Sequence, residues 1–411
     1  MKTFKIGGVH PKENKLSEKS PIKVLALPKT AIIPLSQNLG APSNPIVNKG
    51  DKVKVGQLIA ESSSFISSHI HAPVSGTIAK IDEAIDSSGY KRKAIFIDVE
   101  GDEWLENIDK SNHLISDIRF SKEEIIAKIK DAGIVGLGGA TFPTHVKLMI
   151  PKGKKAECLI INGVECEPYL TSDHRLMIEK GDELMVGIQI IMKSIEVTKA
   201  YIGIENNKPD AIEHLTNLSK KYNGIEICPL KVKYPQGGEK QLIKAIIGRE
   251  VPSGKLPIEV GCVVQNVGTA YAVYEAVQKN KPLIERVVTA TGKSVKNPTN
   301  LLTRIGTPVS LLLDEAGSLP DDTGKIINGG PMMGKAVNSL EIPVVKGMSG
   351  LLVMPEKESK RVPIYNCIRC AKCVSVCPMG LSPYLIAQTS EINKEEMAEI
   401  HITDIDYIEI N

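Results

Sequence analysis

Four cysteines in the last fifty residues of this 411-residue chain follow the spacing C-x2-C-x2-C-x3-C-P, which begins at Cys367. This spacing is typical of thiolates that hold a [4Fe-4S] cluster, because it wraps neighbouring sulfur atoms around one small cube of iron and sulfide. Zinc is the alternative, but zinc sites usually separate two C-x2-C pairs by a dozen or more residues. The run therefore predicts an iron–sulfur segment whose metal ligands are Cys367, Cys370, Cys373 and Cys377.

A second run of this kind would be expected further along, where ferredoxins with two motifs have a Cys-Ile-Glu-Cys opening. The chain has Tyr407 and Ile410 at the two thiolate positions. Either the second motif has decayed, or the chain has been cut and altered near its end. In two-cluster ferredoxins the fourth cysteine of a run binds the other cluster, so Cys377 either closes the first cluster itself or leaves a labile or [3Fe-4S] centre. The other four cysteines are expected to be small core residues: Cys158, Cys166, Cys228 and Cys262.

Composition excludes several classes of protein. Hydrophobic residues at 42% and charged residues at 24% are typical of a globular protein. A net charge of +3 favours neither nucleic-acid binding nor an acidic tail. Apolar runs such as residues 351–354 are far shorter than the roughly 20 residues that cross a bilayer, and no signal peptide is recognisable. The length predicts two or three domains.

Residues 1–115 are predicted to form a β-rich domain, with strands near residues 46–47, 57–60, 76–81 and 94–99. The stretches 48–53 and 71–78 resemble the two halves of a barrel-sandwich hybrid, the fold of biotinyl and lipoyl domains. Those carriers present a lysine for acylation, but residues 61–68 contain no lysine. We therefore expect the fold without the carrier chemistry.

Residues 119–282 are predicted to form an α/β domain with a largely parallel sheet. Ser121 and Glu124 form a capping box before an amphipathic helix. Apolar strands at residues 158–161, 201–204, 225–230 and 262–264 alternate with helical patterns such as 209–222 and 239–247.

Residues 283–355 again favour strands, at 283–291, 309–313 and 325–327, and indicate a small β-rich module. Residues 361–411 carry the cysteine run.

Four loops of the α/β domain come after a strand or open a helix, where ligands of such sheets bind. The first, residues 133–147, is rich in glycine and suits a phosphate, although a simple tight turn would have the same composition. The second, residues 162–168, offers an amide and two carboxylates, and a solvated acidic loop is the alternative. The other two loops are residues 234–241 and 265–269.

Taken in order, these loops resemble the flavin-carrying, NADH-binding subunit of respiratory complex I. The similarity is greater to the RnfC subunit of the Rnf ferredoxin–NAD oxidoreductases, in which the opening residues 7–11, the stretch 71–76 and the cysteine run also occur. The resemblance covers nearly the whole chain. It implies a barrel-sandwich domain, an α/β domain that binds FMN and NADH, a β-grasp module of the soluble-ligand-binding type and a ferredoxin-like tail.

The resemblance also assigns residues to each part of the site. The FMN phosphate would be held by Gly136, Gly138, Gly139 and Lys147, with Asn266 and Thr269 completing that end. Asn162 and Glu165 would lie against the flavin. The nicotinamide nucleotide would be bound by Glu167, Tyr234, Gly238 and Glu239. Leu137 departs from the complex I pattern, which has an arginine there, so a weaker affinity for phosphate is expected.

The activity that follows is electron exchange between NAD(H) and ferredoxin through FMN and the cluster, coupled to ion transport by other subunits. The implied partners are integral-membrane and iron–sulfur subunits and ferredoxin, with no nucleic acid, on the cytoplasmic side of the inner membrane. Two alternatives remain at this point. One is a cobalamin reductase of bacterial microcompartments, and the other is a non-catalytic electron relay or scaffold whose nucleotide site has decayed.

Overall fold

The computed structural model of the protein describes residues 1–391. Its strands are β1 (Ile22–Val24), β2 (Thr30–Pro34), β3 (Asn44–Pro45), β4 (Lys52–Val53), β5 (Leu58–Glu61), β6 (Ile70–His71), β7 (Ser75–Ile85), β8 (Lys91–Gly101), β9 (Cys158–Asn162), β10 (Ala200–Glu205), β11 (Ile225–Leu230), β12 (Cys262–Asn266), β13 (Glu285–Thr291), β14 (Thr299–Arg304), β15 (Thr323–Asn328), β16 (Lys335–Val337) and β17 (Gly350–Pro355). Its α-helices are α1 (Lys122–Asp131), α2 (Thr144–Leu148), α3 (Ser172–Glu179), α4 (Gly181–Ser194), α5 (Pro209–Ser219), α6 (Glu239–Ile247), α7 (Val267–Lys279), α8 (Val309–Glu315), α9 (Glu356–Ser359), α10 (Lys372–Val376) and α11 (Pro383–Glu391).

The first unit consists of two small antiparallel sheets that share one core. One sheet has the order β2-β8-β7-β4 and the other the order β3-β5-β6. Alternate apolar residues of both sheets, including Ile33, Ile59, Ile78 and Ile95, are fully buried between them. The strand expected at residues 46–47 is placed two residues earlier, in β3.

The second unit is the predicted parallel sheet, in the order β11-β10-β9-β12 with helices packed around it. The capping box is confirmed: the Ser121 hydroxyl accepts from the Glu124 N–H, and the Glu124 carboxylate accepts from the Ser121 N–H. Three of the four scattered cysteines are buried on this sheet, namely Cys158, Cys228 and Cys262, and Cys166 is half-buried.

The third unit is a six-stranded sheet in the order β1-β14-β13-β17-β15-β16. The prediction of a strand at residues 309–313 is wrong, because these residues lie in helix α8. Val309, Leu312 and Leu313 are the buried ones, and their spacing of three and four residues is that of a helix face. A short apolar run does not distinguish a buried strand from a buried helix.

The amino-terminal segment before β2 connects the three units. Strand β1 joins the third unit by parallel pairing with β14. Further upstream, Lys2 pairs with Leu230 and Val9 with Tyr234, both in the second unit. The predicted domain limits do not anticipate these pairings, because they join residues far apart in the sequence.

Candidate functional site

The predicted loops meet at the carboxyl edge of the parallel sheet. Asn162 and Asn266 are the last residues of β9 and β12 and are register partners on neighbouring strands. The Asn162 amide donates to the Gly237 carbonyl at 2.8 Å. The Asn266 side chain accepts from the Gly268 N–H at 2.8 Å and caps α7. Both amides are therefore held in fixed orientations at the crevice where α/β sheets bind ligands.

The glycine-rich loop lies against the start of α7. The Leu137 N–H donates to the Thr269 hydroxyl at 2.9 Å, and the Gly136 N–H donates to the Phe142 carbonyl at 2.8 Å. A Cβ built at Gly138 would lie 3.4 Å from the Asn266 Cβ, in ordinary van der Waals contact, so the glycine-rich loop and the end of β12 are neighbours. Gly136, Gly138, Thr269 and Asn266 are thus brought together as predicted.

The two carboxylates of the second loop accept hydrogen bonds from backbone groups. Glu165 accepts from the N–H groups of Asp173 and His174, at 2.7 and 3.2 Å, at the amino end of α3. Glu167 accepts from the N–H groups of Met332 and Met333, at 3.1 and 2.7 Å, in the third unit. Burial raises the pKa of Glu167. Their roles towards flavin and nicotinamide stay predictions, since in the protein alone these groups position loops.

The third loop contributes the residues expected on the NADH side. Gly238 precedes α6 as its N-cap, and Glu239 is the first residue of that helix. The Lys147 ammonium, which was expected at the phosphate, forms an ion pair with the Glu239 carboxylate at 2.6 Å. Tyr234 is half-buried, and burial raises the pKa of its hydroxyl. Lys147 is therefore shared between the two predicted ends of the site.

Two lysines that sequence analysis did not single out hold the second loop by hydrogen bonds to backbone carbonyls. The Lys15 ammonium donates to the carbonyls of Glu165, Glu167 and Leu170 at 2.7–2.9 Å. The Lys208 ammonium is buried and donates to the Val164 carbonyl at 2.7 Å, and burial lowers its pKa to about 8. Their partners lie far away in sequence, so no local pattern marked them.

Asp173 and Arg286 are two further charged residues that were missed. The Asp173 carboxylate accepts from the Asn266 amide at 2.7 Å, and burial together with the charge of Glu165 raises its pKa to about 7. Arg286 projects from β13 and donates to the carbonyls of Leu137 and Met348 at 3.3 and 3.2 Å. An arginine next to the apolar residues Val287 and Val288 in a predicted strand was the signal that could have found it.

The cysteine run lies next to the amino-terminal segment and α6. The Gly8 N–H donates to the Val376 carbonyl at 2.7 Å, and the Gln241 amide contacts the Met379 sulfur at 3.4 Å. Val9 in turn exchanges two backbone hydrogen bonds of 2.8 Å with Tyr234. Gly8 and Val9 therefore connect the cysteine run to the third loop.

Cys367, Cys370 and Cys373 are exposed and Cys377 is half-buried. Within residues 1–391 no three His, Cys, Asp or Glu side chains lie close enough together to hold a metal ion. The cluster therefore stays a prediction from the spacing. Tyr407 and Ile410, at the expected second motif, lie outside the described residues.

In three of the four loops, the described part of the chain provides no hydrogen-bond partner for a buried side-chain atom, namely the Thr144 hydroxyl and the amide nitrogens of Gln236 and Gln265. Such groups are normally satisfied by a ligand or by water when the protein provides no partner. No helix in the described part of the chain is long and apolar enough to cross a membrane.

Three family models match successive parts of the chain. The barrel-sandwich hybrid domain of RnfC matches residues 2–102, the Nuo51 FMN-binding domain matches residues 129–275, and the SLBB domain matches residues 287–336. The predicted barrel-sandwich, FMN-binding α/β and soluble-ligand-binding units are confirmed.

Similar proteins over nearly the whole chain are the C subunits of electron-transfer complexes. The C subunit of the proton-translocating ferredoxin:NAD(+) oxidoreductase complex of Clostridium ljungdahlii is 45% identical over 98% of this chain and 88% of its own length. The Na(+)-translocating counterpart of Acetobacterium woodii is also 45% identical, over 97% and 89%. The C subunit of the ion-translocating oxidoreductase complex of Rhodobacter capsulatus is 39% identical, over 99% and 77%.

Among solved structures, the NAD+-reducing [NiFe]-hydrogenase in the H2-reduced state has a similar fold. The TM-score is 0.52 at 21% identity, covering 58% of this chain and 47% of that one. The family models and the relatives similar over nearly the whole chain establish that the chain belongs to the RnfC family, the C subunits of the ion-translocating ferredoxin:NAD(+) oxidoreductase complexes.

Proposed function

We propose that this chain is the subunit of an ion-translocating ferredoxin:NAD(+) oxidoreductase complex that exchanges electrons with NAD(H). The names of its relatives support this function, and none of the three relatives reported above is a cobalamin reductase. Two relatives of equal identity are named for different ions, so the proposal extends to ion transport but not to a particular ion. The complex would include integral-membrane and iron–sulfur subunits, act with ferredoxin, and place this chain at the cytoplasmic face of the membrane.

The α/β unit would bind FMN and NAD(H) at the carboxyl edge of its sheet. The phosphate end would be held by Gly136, Gly138, Gly139, Lys147, Asn266 and Thr269, with Asn162 and Glu165 beside the flavin ring and Glu167, Tyr234, Gly238 and Glu239 on the nucleotide side. FMN, when bound, supplies the conversion between a two-electron hydride carrier and one-electron carriers. The protein orients the ligands: Asn162 and Asn266 are fixed by their hydrogen bonds, and Lys15 and Lys208 hold the loop that carries both carboxylates.

The amino-terminal segment links the candidate nucleotide site to the cysteine run. Residues 7–9 contact the cysteine run on one side and pair with Tyr234 of the candidate nucleotide loop on the other. A ferredoxin-like segment that binds a [4Fe-4S] cluster through Cys367, Cys370, Cys373 and Cys377 would therefore be docked beside the flavin domain. That placement is what a transfer of single electrons away from the nucleotide site requires.

Anaerobic mixing of the purified protein with FMN and then NADH tests the proposal. We expect the absorbance of the bound flavin to bleach, followed by reduction of an iron–sulfur signal in the EPR spectrum. Cys370→Ser should abolish the EPR signal or change it to that of a three-iron centre, because it removes one of the four metal ligands. It should leave the bleaching intact, because no residue of the proposed flavin site is changed. A protein that binds neither FMN nor NADH would be an electron relay instead, and zinc in place of iron and sulfide would remove the cluster from the proposal.

A further inference from the structure

The Arg286 side chain extends from the third unit into the candidate flavin site of the second. Its Nε donates to the Met348 carbonyl, and one terminal nitrogen donates to the Leu137 carbonyl in the glycine-rich loop. The other terminal nitrogen would lie 3.4 Å from a Cβ built on Gly268, in the first turn of α7. The guanidinium therefore lies between the glycine-rich loop and the amino end of a 13-residue helix.

This cation is buried without an ion pair. Arg286 is only 6% exposed, and within residues 1–391 no acidic side chain forms a salt bridge with it. The acid whose charge acts on it is Asp173, whose carboxylate already accepts from the Asn266 amide, and burial together with the charge of Glu165 raises the pKa of that carboxyl. Burial lowers the pKa of Arg286 to about 10, so its side chain remains charged at neutral pH. Removing an unpaired charge from water is unfavourable, so an anion at this place would stabilise the buried guanidinium.

Two other features favour an anion at the same place. The amino end of α7 carries the positive end of the helix dipole. The N–H groups of Gly138 and Gly139, in the exposed part of the glycine-rich loop, donate to no acceptor in the described part of the chain. Lys147, by contrast, is already neutralised by Glu239. Arg286 thus lies at this end of the site and lacks a carboxylate partner among the residues described.

We infer that Arg286 supplies the positive charge that holds the FMN phosphate, a role that rests on the proposed flavin site. The sequence predicts a weaker phosphate site because Leu137 stands where the complex I pattern has an arginine. The structure provides a guanidinium behind the backbone of that same residue, from a strand of the neighbouring unit. The third unit therefore completes the flavin site, and the specificity for FMN over riboflavin depends on it.

The test compares FMN with riboflavin, which has the same ring and lacks the phosphate. Arg286→Gln keeps hydrogen-bond donors for the two carbonyls but removes the charge, whereas Arg286→Lys keeps the charge. We expect Arg286→Gln to raise the dissociation constant for FMN roughly 10–100-fold and that for riboflavin less than about threefold. Arg286→Lys should stay within about fivefold of the unchanged protein for both ligands. Arg249→Met, at the surface beside Glu157, is the control and should change neither constant.

Flavin fluorescence quenching and equilibrium dialysis measure both constants, and circular dichroism checks the fold of each variant. If Arg286→Gln does not fold, Arg286→Met, which fills similar space without the charge, takes its place in the same comparison of FMN with riboflavin. Equal losses for FMN and riboflavin would overturn the role of Arg286 alone. An unchanged protein that binds neither flavin would overturn the proposed function itself and this role with it.

Discussion

Single buried charges determine much of the candidate site. Asp173 is an example, because its carboxylate orients the Asn266 amide while being desolvated and close to Glu165. The same desolvation makes the folded state sensitive to pH. In the unfolded chain the carboxyl has its ordinary pKa of 3.8, and in the folded protein the pKa is about 7. Between these values the folded state binds more protons than the unfolded state, so stability falls as the pH rises.

Asp173→Asn should remove this loss of stability. Asparagine still offers an oxygen to the Asn266 amide but does not titrate in this range. We expect the variant to be more stable than the unchanged protein above pH 7, by about 1–3 kcal/mol, and similar to it near pH 4. Thermal unfolding without ligands across this range measures the difference. Asp321→Asn, at an exposed position, is the control. Parallel pH profiles for Asp173→Asn and the unchanged protein would show that the carboxyl does not titrate as described.

At the scale of elements, the amino-terminal segment positions the cysteine run. Gly7 has φ +63°, and a Cβ there would approach the backbone C and O atoms of Cys377 at 2.6 Å. Both the backbone conformation and the close contact therefore favour glycine. Residues 7–9, which we call the clamp, hold the cysteine run through backbone groups. Side-chain patterns in the sequence therefore carry little information about this contact.

Gly7→Ala should loosen the cysteine run without affecting the nucleotide loops. A penalty of about 1–2 kcal/mol would raise the undocked population roughly 5–30-fold. We expect faster tryptic cleavage near Arg361 and Arg369 and slower NADH-dependent reduction of the cluster, with unchanged flavin bleaching. Gly153→Ala is the matched control, since Gly153 has φ +85° and nothing lies within 4 Å of its Cβ position. Equal cleavage rates in the two variants would argue against the clamp.

At the scale of the whole molecule, Lys346 joins the three units at one buried point. Lys346 belongs to the third unit and is 1% exposed, and its ammonium donates to the His69 carbonyl at 2.6 Å and the Gly133 carbonyl at 2.7 Å. His69 belongs to the barrel-sandwich unit, and Gly133 follows α1 of the α/β unit. The units therefore meet through hydrogen bonds that a single side chain provides.

Lys346→Met should weaken this junction. The methionine fills similar space, but two buried carbonyls lose their donor, which costs about 2–4 kcal/mol in total. We expect calorimetry to show a lower melting temperature and an earlier, separate transition for the barrel-sandwich unit. Lys325→Met, at an exposed position in β15, should melt like the unchanged protein. A single transition at the original temperature would contradict the junction.

Local features of the fold and the site could be predicted from the sequence, and long-range ones could not. The capping box at Ser121, the helix 239–247 and the positions of Asn162 and Asn266 at strand ends depend on neighbouring residues, and each lies where expected. The run 309–313 failed because a short apolar segment is compatible with a helix and with a strand.

By itself, the sequence determined the order of the units, the loops that reach the carboxyl edge of the sheet and the thiolate spacing of the cysteine run. These are properties of residues that are close along the chain, where periodicity, capping and motif spacing act. Only the tertiary structure decided that Arg286 of the third unit lies behind Leu137, that Lys346 joins three units and that residues 7–9 connect the cysteine run to Tyr234. Such contacts depend on how distant segments pack together, and a buried charge acquires its partners and its pKa only from that packing.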